Sequence, residues 1–200
     1  MNPPRSNAIC IYCGSSPGLL PEYAEAAVHV GRTLARRGIT LVYGGAHVGL
    51  MGMMADAALE AGGRVIGVMP HLLIGKEVVH PGLTELHAVE SMHQRKTLMA
   101  DLSDGFIALP GGVGTLEEIF EVYTWTQIGF HTKPCAFLNV ADFYSPLFRF
   151  LEHAVAQRFV REEHHRMLVM EESIEDILDR FANEEPVIAD KWMDIKSEER

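Results

Sequence analysis

Two hundred residues, 48% hydrophobic and 22% charged, suit one globular domain with a sizeable core. A net charge of −10 argues against a duplex nucleic-acid binder, although local backbone dipoles can still hold a small anion. No run approaches transmembrane length, Met1 to Asn7 lacks the apolar core of a secretory leader, and three cysteines make no disulfide framework, so a cytoplasmic protein is expected.

The chain opens with an apolar run, Ala8 to Cys13, that reads as a buried strand ending in the loop Gly14-Ser15-Ser16-Pro17-Gly18. Cys10 and Cys13 form a C-x-x-C, but three residues apart on a strand they face opposite ways, and they read as buried thiols. Pro21 suits a helix start, and Tyr23 to Arg37 carries Ala27, Val30 and Leu34 at helical spacing before Gly38. Thr40 to Tyr43 is a second strand. It meets a second glycine turn, Gly44-Gly45-Ala46-His47-Val48-Gly49, and then a helix from about Leu50 to Ala61. Arg64 to Met69 is a third strand. Pro70 to Thr84 has no clear period, and a loop of that length inside a compact domain points to function or mobility.

Glu85 to Val89 alternates as a strand, and Ser91 opens a helix reaching about Leu102. Gly105 to Leu109 is the strand before the most informative stretch, Pro110-Gly111-Gly112-Val113-Gly114-Thr115-Leu116-Glu117-Glu118, with a helix expected over Leu116 to Ile128. Glycines there let backbone approach a ligand closely, and the free N–H groups of the helix's first turn attract an anion. Thr115 is placed to cap that helix, with Glu118 at capping-box spacing. Glu118 is therefore either a cap partner or a carboxylate beside a bound phosphate. Pro134 to Asn139 is a further strand, Tyr144 to Gln157 a helix, Arg166 to Met170 a short strand and Ile174 to Phe181 a last helix. One domain over 1–182 and a loosely held tail over 183–200 are expected.

Short strands alternating with helices predict an α/β fold: a doubly wound, mainly parallel sheet with helices on both faces. Ligands bind such sheets at the carboxyl ends of the strands, so all three glycine turns should converge on one crevice. None of the turns is G-x-G-x-x-G or a Walker A loop, which disfavours a dehydrogenase or a P-loop ATPase and leaves a mononucleotide or a phosphorylated sugar. Arg95 and Lys96 lie near a helix N-terminus, where cations are mildly unfavourable unless an anion or carboxylate offsets them. Glu117, Glu118 and Glu121 exceed what a cap requires. Glu117 and Glu121 share a face, Glu118 points elsewhere, and one of the three could serve as general base or stabilise a cationic transition state. Glu162, Glu163, His164 and His165 fit no standard metal spacing and read as a surface run, and His93 reads as structural.

Three blocks in order carry a likeness. Pro110 to Glu118 fits P-G-G-x-G-T-x-x-E, Met92-His93-Gln94-Arg95-Lys96 fits M-H-x-R-K, and Tyr43-Gly44-Gly45 with Gly49-Leu50-Met51-Gly52 fits a third. Over about Ile9 to Leu178 the chain resembles the "lonely guy" family of cytokinin riboside 5′-monophosphate phosphoribohydrolases. Ala46 departs from a frequent glycine, which could alter pocket shape. The resemblance implies a Rossmann-like homodimer that hydrolyses the N-glycosidic bond of a purine nucleoside 5′-monophosphate, without a metal or redox cofactor. It implies Arg95 and Glu118 as the catalytic pair. It places Glu77, Met92, Arg95, Lys96, Gly111, Gly112, Val113, Gly114, Thr115, Leu116, Glu117 and Thr124 at substrate-binding positions, with Gly14, Ser15, Gly44 and Gly45 lining the pocket. A lysine decarboxylase label, frequent among relatives, is rejected because no lysine before the tail sits in a convincing Schiff-base site. Two alternatives stay open: an AMP nucleosidase for which cytokinins are incidental, and a non-catalytic binder akin to molybdenum-cofactor carriers. No nucleic-acid or membrane partner is expected.

Overall fold

Seven short strands pair side by side, all parallel, in the order β4-β3-β2-β1-β5-β6-β7. They are β1 (Ala8–Tyr12), β2 (Thr40–Tyr43), β3 (Val65–Pro70), β4 (Glu85–Val89), β5 (Gly105–Ala108), β6 (Cys135–Leu138) and β7 (Leu168–Glu171). The computed structural model describes residues 7–74 and 79–185. The central strands are apolar on both sides because both faces are covered by helices. The edge strand β4 alternates instead, and its Glu85 pairs with Arg64 in solvent.

Helices α1 (Pro21–Arg36) and α2 (Gly49–Glu60) cover one face together with α8 (Ile174–Asn183). The other face is covered by α4 (Met92–Asp101), α5 (Val113–Gln127) and α6 (Ser145–Ala156). Two short helices, α3 (His71–Ile74) and α7 (Glu162–His165), lie in the connections. Cys13 packs into the first core and Cys10 into the second, both buried as free thiols, as strand alternation requires. At Gly31 the first two helices touch backbone to backbone: a Cβ there would lie 2.2 Å from the carbonyl oxygen of Met54.

Some element ends differ from the sequence reading. Helix α5 begins at Val113, three residues before Leu116, with Gly112 as its N-cap and no side-chain cap. Thr115 is therefore not the cap. It is buried inside the first turn, with its hydroxyl so close to Gly111 that a Cβ on that glycine would meet it at 2.2 Å. By contrast Ser91 does cap α4, accepting the Gln94 N–H at 3.2 Å. Within Pro70 to Thr84 the chain forms α3, and Val79 bridges antiparallel to Ala46. His164 is buried, so the Glu162 to His165 run is not wholly a surface feature. Glu77, Lys76 and the tail from Pro186 onward lie outside the described residues.

Candidate active site

Strand β1 has β2 on one side and β5 on the other, so the chain leaves the sheet in opposite directions there and a crevice opens beyond the strand ends. The three glycine turns meet in it. The Gly14 N–H donates to the Pro110 carbonyl at 3.1 Å, and the Leu50 N–H donates to the Gly14 carbonyl at 3.1 Å. Gly49, at φ +55°, lies so close to Ser15 that a Cβ would sit 2.3 Å from the Ser15 carbonyl carbon. A cleft of about 250 Å³ opens between Gly14-Ser15-Ser16 and Pro110-Gly111-Gly112, walled by Tyr23, Leu50 and Phe143. The first hydrogen bond of α5 runs from the Leu116 N–H to the Gly112 carbonyl. The amides preceding it have no carbonyl partner in the helix, and they follow directly on Gly112, which lines the cleft.

Helices α4 and α5 bring the charged groups together beside these turns. The Arg95 Nε donates to the Val68 carbonyl at 3.1 Å, which fixes the guanidinium plane. Its Nη1 then lies 3.7 Å from Glu118 Oε1, with only 13% and 14% of the two side chains exposed. Nη2 fills the space where Gly44 lacks a side chain: a Cβ at that glycine would fall 2.3 Å from it. Burial raises the Glu118 carboxyl above its ordinary range. Arg95 draws it down and Glu117 pushes it up. A carboxylate kept poorly hydrated beside a cation has the character of a reacting group.

Lys96 is the buried partner of the other two carboxylates, with Nζ 2.7 Å from Glu117 and 2.9 Å from Glu121. Burial would lower its pKa, but the bonds from Glu117 and Glu121 outweigh that and raise it. The cationic start of α4 is thus offset by carboxylates from the second and third turns of α5, and these divide as their spacing predicts: Glu117 and Glu121 on Lys96, Glu118 on Arg95. Val113, Gly114 and Met92 are exposed, with Met92 Sδ 4.0 Å from Arg95 Nη1. Leu116 is half-buried against the α5 side of the sheet. Thr124 is exposed two turns along, its hydroxyl bonded to the Phe120 carbonyl, and His93 is exposed. Gly45 is buried at φ +85° behind Gly44.

A family model described as "possible lysine decarboxylase" matches residues 51–181. A "cytokinin riboside 5′-monophosphate phosphoribohydrolase" of Rhodococcoides fascians is 52% identical over 158 residues, covering 78% of this chain and 80% of that protein. The chain belongs to the cytokinin riboside 5′-monophosphate phosphoribohydrolase family. The rice member "LOG" is 48% identical over 165 residues, 82% of this chain and 68% of its own. Among solved structures, the molybdenum cofactor binding protein of Rippkaea orientalis superposes with a TM-score of 0.66 at 22% identity, covering 88% of this chain and 94% of that one, a likeness of fold.

Among the described residues, neither lysine fits the decarboxylase description. Lys96 is held by two carboxylates and Lys133 Nζ donates to the Ala100 carbonyl at 2.7 Å, so neither offers a free amine for a Schiff base. Sequence reasoning missed the Val68 carbonyl that orients Arg95, since a backbone oxygen leaves no residue signature. It also missed a cluster of His47, Asp56 and His80, drawn from three separate segments.

Proposed function

We propose that this chain hydrolyses the N-glycosidic bond of purine nucleoside 5′-monophosphates, cytokinin riboside 5′-monophosphates and AMP among them, giving free base and ribose 5-phosphate. The observation that carries the reading is the part-buried Arg95–Glu118 pair beside a helix start with free amides. The family's activity on cytokinin nucleotides agrees with it.

In this reading the 5′-phosphate sits against the amides of Gly112 to Thr115 and the hydroxyl of Ser15, where the α5 dipole favours an anion. The ribosyl–nitrogen bond breaks with oxocarbenium character at the anomeric carbon, as in glycoside hydrolysis. Glu118 faces that carbon, stabilises the developing positive charge and accepts a proton from the attacking water, whose oxygen bonds to the anomeric carbon. Arg95 hydrogen-bonds the substrate and the departing base, which gains the proton. Lys96, Glu117 and Glu121 hold α4 against α5 so that Arg95 and Glu118 stay opposed, and the remaining turn residues, with Glu77 and Thr124, complete the substrate contacts.

The protein acts as a cytoplasmic homodimer in this reading. Met92, Val113, Ile128 and Phe130 are 43%, 84%, 43% and 72% exposed around α4 and α5, an apolar surface suited to a second copy. Three buried free thiols fit a reducing compartment, and among the described residues no helix is long and apolar enough to cross a membrane. The test is Glu118→Gln: turnover of AMP should be lost while the nucleotide still binds, and undiminished turnover would remove Glu118 from the mechanism.

A further inference from the structure

Behind the second glycine turn lies a cluster that the active-site reading does not use. The Asp56 carboxylate, on α2, bonds two imidazoles at once: His80 Nε2 at 2.9 Å from Oδ1 and His47 Nε2 at 3.1 Å from Oδ2. The two rings meet edge to face with centroids 4.5 Å apart. His80 is buried, whereas His47 and Asp56 are partly exposed. Burial would raise the Asp56 carboxyl, but the bonds from His80 and His47 outweigh it and hold it below the ordinary carboxylate range.

Two nitrogens and a carboxylate this close have the composition of a divalent-metal site. One contact argues otherwise. The Gly82 N–H donates to His80 Nδ1 at 3.1 Å, so Nδ1 presents its lone pair and the ring proton is on Nε2. That nitrogen donates to Asp56 and has no lone pair for a metal, and His47 with Asp56 alone is too few ligands.

The cluster instead sits where the second turn is fastened. The Gly45 carbonyl accepts the His80 N–H at 3.0 Å, Ala46 bridges to Val79, and His47 reaches Asp56. Three consecutive residues of the turn are therefore tied to the 79–80 segment or to α2. The residue just before them, Gly44, is the surface on which Arg95 Nη2 rests.

We propose that Asp56 is a positioning residue for the hydrolysis: with His80 and His47 it latches the second glycine turn, so that the Gly44 backbone holds the Arg95 guanidinium opposite Glu118. The latch rests on the reading of Arg95 given above. The Asp56 carboxylate is half-exposed, with one bond to buried His80 and one to the exposed His47, so it governs where the turn lies more than whether the protein folds.

The test measures kcat and KM for AMP, with melting temperatures, in Asp56→Ala, Asp56→Asn, His47→Ala, Gly44→Ala and Arg95→Ala. Asp56→Ala is expected to lower kcat/KM tenfold or more. Asp56→Asn, whose carboxamide still accepts from His80, is expected to recover to within about threefold of wild type, and His47→Ala to fall between the two. Both Asp56→Ala and Gly44→Ala release the same guanidinium, so the double variant should lose little beyond the worse single one. Zinc ion alone should leave the melting temperature unchanged. Asp56→Ala or His47→Ala both within twofold of wild type, multiplying losses in the double variant, or a zinc-dependent rise in melting temperature would overturn the latch. If Arg95→Ala keeps wild-type turnover, the active-site reading falls and the latch with it. If Arg95→Ala is inactive while Asp56→Ala is unaffected, the latch falls alone.

Discussion

Gly44→Ala isolates the placement of one guanidinium from the stability of the fold. The glycine is not in the left-handed region, so alanine fits its backbone conformation. The added methyl carbon would lie 2.3 Å from Arg95 Nη2 and 3.4 Å from Met51 Sδ. Ordinary contact begins near 3.4 Å, so Nη2 must retreat by about 1 Å. Nε is tied to the Val68 carbonyl, so the retreat is a rotation of the guanidinium out of its plane beside Glu118, or the loss of that bond. A displacement of about 1 Å in a positioning group can cost roughly 100-fold in rate, equivalent to about 2.7 kcal/mol of transition-state stabilisation. The methyl meets a side-chain end and not backbone, so folding should be spared. Initial rates of base release from AMP, beside a thermal melt, should show kcat/KM down about two orders of magnitude with the melting temperature within a few degrees of wild type. A variant within threefold of wild-type kcat/KM would refute the assigned role of the Arg95 position.

Further outcomes follow from other contacts. Gly31→Ala drives a methyl to within 2.2 Å of the Met54 carbonyl oxygen, forcing α1 and α2 apart; a loss of about 1–3 kcal/mol in denaturant unfolding is expected, and no loss would mean the two helices separate freely. Lys96→Met leaves Glu117 and Glu121 facing each other without their cation. It should cost about 1–3 kcal/mol, because the lysine is buried and Glu117 is half-exposed, and Glu117→Gln in the same chain should restore part of that. Glu118 carries its own pH signature. Its folded carboxyl titrates above the ordinary value of 4.5, so in the window between the two the native state holds more protons than the unfolded one. Stability therefore falls as pH rises through that window and stays lower above it. Glu118→Gln should melt higher than wild type at pH 7, with the gap closing below about pH 4.5; equal melting temperatures at both pH values would contradict the burial penalty.

The sheet was readable because its central strands are short apolar runs bounded by glycine, proline or asparagine; the apolar runs are what two-sided burial imposes. The meeting of the three turns was readable too, since parallel topology puts all their strand ends on one side. The start of α5 was not. A threonine before an apolar helix suggests a side-chain cap, but here glycine occupies the N-cap and Thr115 packs inward against Gly111. The pairing of Lys96 with Glu117 and Glu121 follows from helix spacing only once α4 and α5 are known to be neighbours. His164 was misjudged because a run of charged and polar residues gives no sign that one of them turns inward. The contacts on Asp56 cross three segments 9 and 24 residues apart, beyond any local period.

Cleavage of a ribosyl–nitrogen bond by Glu118 and Arg95 is tested most simply by product release. Purified protein is incubated with AMP and, separately, with isopentenyladenosine 5′-monophosphate, and free base is followed by chromatography beside the Glu118→Gln variant. Base should be released from both nucleotides by the wild-type chain and from neither by the variant, with ribose 5-phosphate in equal amount. Tight nucleotide binding with no base released by the wild-type protein would contradict that assignment.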